Sequence, residues 1–312
     1  MSKFLDVISS VIDVRGFLIL CLVFVPLERL FALHKEQGIF RKWWWNDLTY
    51  VLFNGFFIRA GMVVLVAGAG VVGRLAVPDD VRTFVAGQPF WLQLVEALIL
   101  ADLGFYFAHR MFHSIPFLWK FHAIHHSIEE MDWLAGSRIH PIDQIVTKGI
   151  SLLPLFALGF STATVVTFSW IFFFHSTLLH ANVRWNFGPL RWLIASPNYH
   201  HWHHANEPAA YNKNYAAQLP LLDKLFGTMH MPNGEEPAKL GVDDPVPKTY
   251  VAHLVYPFLP SKTPAQCAPE AEPVVEQGSA SAPEASATTT QSTSEQTGAP
   301  SKTDAFEVSF AR

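Results

Sequence analysis

Charged side chains are scarce in this sequence of 312 residues. Asp, Glu, Lys and Arg make up 15% of the chain, whereas an ordinary soluble domain carries about 25%. Half of the residues are hydrophobic and the mean hydropathy is +0.22, so the chain lacks the polar groups that cover a water-facing surface. The net charge of −4 excludes nucleic acid as a main partner, because phosphate binding requires concentrated Lys and Arg.

Cysteine is nearly absent as well. The two cysteines, Cys21 and Cys267, lie far apart in an apolar run and a polar tail, which excludes a disulfide framework and a thiolate metal site. The chain contains no haem, flavin or nucleotide motif, and no G-x-G-x-x-G follows a predicted strand. A redox function would therefore draw its electrons from a separate carrier.

Long apolar runs predict several helices that cross a membrane. Residues 149–183 contain no Asp, Glu, Lys or Arg. As one helix they would measure about 52 Å, which exceeds a hydrocarbon core of about 30 Å, so we predict a break at 158–161. The predicted spans are residues 16–33, 48–73, 90–108, 142–158 and 162–181, the first being the weakest because charged residues interrupt it.

These spans place all the clustered histidines on one face of the membrane. If 90–108 ends on one side, then loop 109–141 and everything after 181 lie on that side too. The basic residues near the spans favour that face by eight to four, which predicts a cytoplasmic location. The eight are Lys35, Arg41, Lys42, Arg110, Lys120, Arg138, Arg184 and Arg191, and the four are Lys3, Arg15, Arg74 and Arg82.

Histidine is the residue type in excess, with 15 in the chain. His109 and His113 are four residues apart, so on a helix both imidazoles project from one face. Two H-x-x-H-H triplets, at 122–126 and 200–204, repeat this spacing. Neutral imidazole binds iron, copper, zinc and nickel. Eight histidines exceed the need of one ion, so the pattern predicts two metals.

Asp102 is a carboxylate inside a predicted span, where ionisable groups are costly and usually functional. It lies seven residues before His109 on almost the same helix face. We predict that it orients a ligand histidine from behind, with a polar contact between helices as the alternative.

Seven motifs in order give the chain a resemblance to the fatty acid hydroxylase and sterol desaturase superfamily of membrane di-iron oxidases. The resemblance covers about residues 90–232. Its 188–228 region looks most like the alkylglycerol monooxygenase branch. The motifs are Asp102-x6-His109-x3-His113, His122-x2-His125-His126, Arg138-Ile-His140-Pro141, His180-Ala-Asn-Val, His200-His-Trp-His203-His204, Lys213-Asn214-Tyr215 and Leu222-Asp223-Lys-Leu-Phe226-Gly227-Thr228.

The resemblance implies an all-α integral membrane protein with four to five transmembrane helices and a cytosolic, histidine-rich helical cap that holds a dimetal site. It implies two iron ions that use O2 and external electrons to attack a lipid C–H bond or to cleave an ether. The implied partners are a membrane lipid and an electron donor, namely a haem protein, a ferredoxin-type protein or a flavin reductase.

Site residues are carried over by matching motif positions. Asp102, Asn214 and Tyr215 are the predicted catalytic residues beside the metals. Alternatively, Asn214, Tyr215 and Asp223 serve only as turn residues. Ligation by His175 or His201 is left open. The predicted metal ligands are His109, His113, His122, His125, His126, His140, His180, His200, His203 and His204.

Three segments are predicted: N-terminal membrane helices (1–88), a catalytic domain (89–262) and a disordered low-complexity tail (263–312) whose composition cannot bury a core. The favoured function is lipid oxygenation. Desaturation by the same site is the alternative among enzymes. A metal transporter is disfavoured because the histidines cluster at one face rather than along a path through the bilayer, and an inactive scaffold because no cluster is broken.

Overall fold

The computed structural model describes residues 14–260, and these residues contain helices and turns but no strand. The predicted tail lies outside the described residues. The helices are α1 (Val14–Phe31), α2 (Trp44–Ala76), α3 (Asp79–Gly87), α4 (Phe90–Ser114), α5 (Pro116–His126), α6 (Pro141–Leu158), α7 (Thr162–His180), α8 (Pro197–His203), α9 (Leu221–Leu225) and α10 (Tyr250–Val255).

Three of these helices, α2, α4 and α7, are long and apolar enough to cross a membrane. The helices α1 and α6 also form where spans were predicted, but they are not among these three. Three charged residues interrupt α1, and polar residues lower the hydropathy of α6. The sequence predicted four to five membrane spans, and the structure supports three of them. The predicted break between α6 and α7 is confirmed: Gly159 adopts a left-handed φ of 80°, and the Ser161 side chain caps the start of α7.

Glycines let α6 approach its two neighbours closely. A Cβ atom at Gly104 of α4 would lie 2.8 Å from the Ile150 carbonyl oxygen, and one at Gly73 of α2 would lie 2.6 Å from the Ala157 Cα. The Ser151 hydroxyl donates to the Ala101 carbonyl at 2.7 Å across the α4–α6 contact. Small residues and interhelical hydrogen bonds of this kind hold membrane helices together, because lipid provides no hydrophobic drive for their association.

Residues 115–140 and 181–260 form a cap at one end of the long helices. Its last helix, α10, returns to the start of α2, where the Tyr50 and Tyr250 rings meet edge to face at 4.8 Å. Another aromatic contact joins Phe121 of α5 to Phe258 at 5.6 Å. Since α2 also packs along α6, the helices before and after residue 88 share contacts, and the domain boundary there stays a prediction.

Candidate metal centre

Nine buried histidines form two adjacent groups where α4, α5, α7 and α8 meet. Within each group, one nitrogen of every ring lies within 4.8 Å of the others. The groups touch, since the His126 and His204 rings stack with centroids 4.4 Å apart. Cluster A contains His109, His113, His122, His126 and His203, and cluster B contains His125, His180, His200 and His204.

Helix geometry explains how each H-x-x-H-H triplet serves both clusters. On a helix, the side chain of residue i+4 is rotated by about 40° about the helix axis from that of residue i. The side chain of residue i+3 is rotated by about 60° in the opposite direction. On α5, His122 and His126 therefore enter cluster A and His125 enters cluster B. On α8 and the residue that directly follows it, the assignment is reversed: His200 and His204 belong to cluster B, and His203 belongs to cluster A.

Hydrogen bonds fix the tautomer of five of these rings. In each ring Nδ1 faces an oxygen that can only accept, so Nδ1 carries the proton and Nε2 keeps a free lone pair. The acceptors are the carbonyl of Tyr215 for His109 (2.8 Å), Asp143 Oδ2 for His122 (2.7 Å), and the carbonyls of Arg138 for His125 (3.1 Å), Ser176 for His180 (2.8 Å) and Lys213 for His203 (2.8 Å).

The inward-facing nitrogens fit a cation. The Nε2 atoms of His109 and His122 are 2.9 Å apart, and those of His125 and His180 are 3.1 Å apart. Neither atom of either pair carries a proton in these tautomers, so two lone pairs face each other, and a metal ion between them would remove the repulsion. Burial lowers the pKa of His203 to about 3 and that of His125 well below its usual value, which keeps both rings neutral, as ligation requires.

His140 lies outside both clusters, contrary to the placement expected for a ligand. Its Nδ1 accepts a hydrogen bond from the backbone N–H of Ile142 at 3.1 Å, which caps the N-terminus of α6. The lone pair that a metal would need is used in this bond. His175 and His201 are also outside the clusters: His175 donates to the Ala195 carbonyl, and the buried Nε2 of His201 has no hydrogen-bond partner within residues 14–260.

Within residues 14–260, Asp102 makes no hydrogen bond to a histidine, which corrects its predicted role. Its two oxygens accept from the backbone N–H groups of Ala217, Gln218 and Leu219 at 2.7–3.1 Å. Seven residues along a helix correspond to about 10 Å, so the carboxylate is too deep to reach the ring of His109 directly. It instead holds the loop whose carbonyl at Tyr215 orients that ring.

Asn214 and Tyr215 belong to the same loop. The Asn214 side chain donates to the carbonyls of Tyr199 and His230, and its backbone adopts a left-handed φ of 59°. Tyr215 contacts His109 through its carbonyl oxygen. Asp223 accepts from the N–H groups of residues 215 and 216 and from two hydroxyls, and burial raises the pKa of its carboxyl while these bonds oppose the rise. The loop is thus built to place ligands.

Sequence reasoning missed two residues that contact ligands. Asp143, in the first turn of α6, binds His122 Nδ1, and the Thr147 hydroxyl supports it at 3.0 Å. An acidic residue two positions after the Arg-Ile-His-Pro motif was the available signal. Gly136 lies against the ring of His180, where an added Cβ atom would be 2.8 Å from Nδ1. No spacing rule links a glycine to a histidine 44 positions away.

Comparison with known proteins agrees with this site. The model of the fatty acid hydroxylase family matches residues 94–228. The ornithine lipid hydroxylase OlsE of Rhizobium tropici is 30% identical over 254 residues, which cover 76% of this chain and 74% of that protein. No solved structure matches.

Two further relatives are similar over shorter stretches. Human alkylglycerol monooxygenase is 33% identical over 151 residues, which cover 48% of this chain but only 33% of that protein. A putative Delta(7)-sterol-C5(6)-desaturase 2 of Arabidopsis thaliana is 27% identical over 150 residues, covering 47% of this chain and 51% of that protein. The names of these three relatives all describe enzymes that oxidise a lipid.

Proposed function

This chain belongs to the fatty acid hydroxylase family, and from that premise we propose that it hydroxylates a membrane lipid at a carbon held beside its two histidine clusters. It is a membrane oxidoreductase. The observation that carries the proposal is the pair of buried clusters whose unprotonated nitrogens face one another at the end of apolar helices.

We propose iron as the metal, with one ion in each cluster. Bound iron supplies the activation of O2 that an attack on an unactivated C–H bond needs, because ordinary side chains cannot perform it. The protein contributes nine imidazoles, and acceptor oxygens of Tyr215, Arg138 and Asp143 orient three of them. Every member of both clusters is buried, which keeps bulk water away from the reacting carbon.

Aromatic side chains of the long helices contact cluster A. The Phe105 ring contacts the His109 ring edge to face at 5.2 Å, and it also contacts Phe172 of α7 at 5.6 Å. Both phenylalanines are half-buried and lie between α4 and α7, two helices apolar enough to span a bilayer. A lipid chain could thus remain among apolar side chains while its target carbon lies next to the ligands.

Among lipid oxidations, hydroxylation has the broadest support. The relative named for it, an ornithine lipid hydroxylase, aligns over about three quarters of both chains. The alkylglycerol monooxygenase aligns over a third of its length, and ether cleavage is the narrower possibility. Desaturation is the second candidate, because the plant relative carries that name and either outcome can follow removal of one hydrogen from the same carbon. The substrate we propose first is an acylated amino lipid.

Lipid analysis with labelled oxygen tests this proposal. The enzyme in lipid nanodiscs would receive ornithine lipid, alkylglycerol or a total lipid extract, together with 18O2 and a ferredoxin–reductase pair. Hydroxylation consumes one O2, two electrons and two protons, and it leaves one labelled atom in the lipid and one in water. A product heavier by one 18O, absent with His125→Ala, supports hydroxylation. A product lighter by two hydrogens, with all label in water, would make the protein a desaturase.

The electron donor and the side of the membrane are part of the proposal. We expect a separate haem, ferredoxin-type or flavin donor to dock on the cap, and we place the cap in the cytoplasm on the bias of basic residues. Cysteines at the exposed positions Glu129 and Asn233, in a chain with both native cysteines replaced by serine, should resist an impermeant thiol reagent in intact cells. A cysteine at exposed Asp80, beyond the other end of α2, is the control and should react. The reverse pattern would place the cap outside.

A further inference from the structure

A buried carboxylate at the start of α2, Asp47, connects the N-terminal part of the chain to cluster B. Its side chain is fully buried and pairs with the Arg138 guanidinium through two bonds, at 2.5 Å from Nε and 2.9 Å from Nη2. It also accepts from Arg41 at 2.5 Å, and Arg41 reaches Asp132 at 2.7 Å. Two carboxylates and two guanidiniums thus balance one another, as buried charges must.

This network fixes the segment 132–138. The Asp132 carboxylate accepts from the backbone N–H of Ala135 at 2.7 Å, and the Ser137 hydroxyl donates to the Asp47 carbonyl at 3.0 Å. The Arg138 guanidinium also donates to the carbonyl of Ser127, directly after the last histidine of α5, at 3.3 Å. The turn Ala135–Ser137 is thereby held from both sides.

The same segment orients two of the four histidines of cluster B. The Arg138 carbonyl accepts from Nδ1 of His125 at 3.1 Å, which sets the direction of that ring. In the turn, Gly136 lies so close to the His180 ring that an added Cβ atom would be 2.8 Å from Nδ1 and 3.0 Å from Cγ. The backbone at residues 136–138 therefore determines where both rings point.

Cluster A is oriented by other parts of the chain. The carbonyls of Tyr215 and Lys213 accept from His109 and His203, in the loop that Asp102 and Asp223 hold. Asp143 orients His122. The two clusters share helices α5 and α8, but the oxygens that accept from their Nδ1 atoms belong to separate segments.

We propose that Asp47 and Arg138 are positioning residues for the metal of cluster B, so that losing their contact weakens that site and spares cluster A. This inference rests on the proposed two-metal function. It makes the N-terminal region part of the metal centre, although Asp47 lies outside residues 94–228, the part that matches the family. Loss of a residue that supports a ligand typically lowers metal affinity 10–100-fold, and we expect a change of that order at cluster B only.

The experiment counts metal. Wild type and Asp47→Asn would be purified in detergent, loaded anaerobically with Fe2+ and washed with a chelator that strips the weakened site, and iron per chain would be measured by elemental analysis. We expect about two irons in the wild type and about one in Asp47→Asn. The control is Glu129→Gln, which breaks an exposed ion pair with Lys42 near the same segment and should retain both irons.

Double variants identify the emptied site. Adding His125→Ala to Asp47→Asn should remove no further iron, because both changes act on cluster B. Adding His203→Ala should remove the remaining iron. Arg138→Lys keeps the charge but loses the two-point contact, so it should behave as Asp47→Asn does and serves if the latter does not fold.

The outcomes separate this inference from the proposed function. If the wild type binds two irons and a folded Asp47→Asn or Arg138→Lys also binds two, or loses both together, the separate support of cluster B is refuted while the two-metal function stands. If the wild type binds at most one iron, the two-metal function fails and takes the inference with it. Folding would be checked by size-exclusion chromatography and thermal unfolding of each variant.

Discussion

Gly136→Ala tests how little displacement the metal centre tolerates. The added methyl would lie 2.8 Å from His180 Nδ1, 3.0 Å from Cγ and 3.3 Å from Cε1. Comfortable contact between such atoms begins at about 3.5 Å, so the ring and the turn must separate by about 0.7 Å. The substitution changes one hydrogen to a methyl group and leaves the charge of the site unaltered.

His180 has little freedom to make that movement. Its Nδ1 donates to the Ser176 carbonyl at 2.8 Å, and its Nε2 faces those of His125 at 3.1 Å and His200 at 2.9 Å. Metal–ligand distances are tolerated within about 0.2 Å, a third of the required shift. We therefore expect cluster B to lose metal affinity by about 10–100-fold and lipid oxidation to fall about 100-fold. The cost in folding free energy should be about 1–3 kcal/mol, as for an overpacked core.

Metal titration against a competing chelator measures the affinity, and product formation from labelled O2 measures the activity. The matched control is Gly38→Ala, at an exposed position where a Cβ atom meets nothing within 4 Å, and it should behave as the wild type. If Gly136→Ala retains two metals with unchanged affinity, the contact between the turn and His180 does not constrain the ligand, and the reasoning is refuted.

Three further predictions each have a separate test. His140→Asn retains an acceptor for the cap of α6 and should keep the full metal content. His204→Ala, which removes a member of cluster B, should lose metal. Metal loss in His140→Asn would restore the ligand role predicted from the sequence. Asp143→Asn should weaken cluster A about 10–100-fold in chelator competition, because a neutral amide orients His122 less strongly, and an unchanged affinity would contradict this. Burial lowers the pKa of His253 from 6.5 to about 4. The unfolded chain therefore takes up a proton between these pH values while the folded chain does not, so stability that is present above pH 6.5 falls by about 3 kcal/mol as the pH drops to 4. His253→Gln should flatten that part of the curve of unfolding free energy against pH, and an unchanged slope would assign the loss to other groups.

Local sequence spacing predicted much of the fold and the grouping of the histidines. The run 149–183 is charge-free and too long for one span, and Gly159 is the residue that can end a helix in the left-handed conformation, so the hairpin of α6 and α7 followed from length and one glycine. The structure brings nine of the ten proposed ligands into two groups, because i, i+3 and i+4 spacing directs side chains to predictable helix faces. Whether these groups bind iron stays a prediction.

The partners of the buried acids could not be predicted because they are distant in sequence. Asp102 was identified from its depth in a span, but its acceptor oxygens are used by N–H groups more than a hundred residues later. The position of a carboxylate deep in a span indicates that it needs hydrogen-bond donors, but it does not identify those donors. For His140, the motif predicted a ligand directly before Pro141. In the structure, its imidazole instead accepts a hydrogen bond that caps the start of α6.

The interleaving of the clusters explains why their supports matter. Helix α5 supplies two rings to cluster A and one to cluster B, and α8 with the residue after it supplies the reverse, so a rotation of either helix would disturb both sites together. Shared helices alone cannot adjust one site independently of the other. Independent adjustment requires contacts that act on single rings, and the chain has them in the carbonyl oxygens of Tyr215 and Arg138. The segments that carry these carbonyls are held by Asp102 and Asp47, buried carboxylates that are far away in sequence. If each cluster binds one metal, an electronic and geometric difference between the two sites would therefore come from the residues behind the histidines, because both clusters offer imidazole alone.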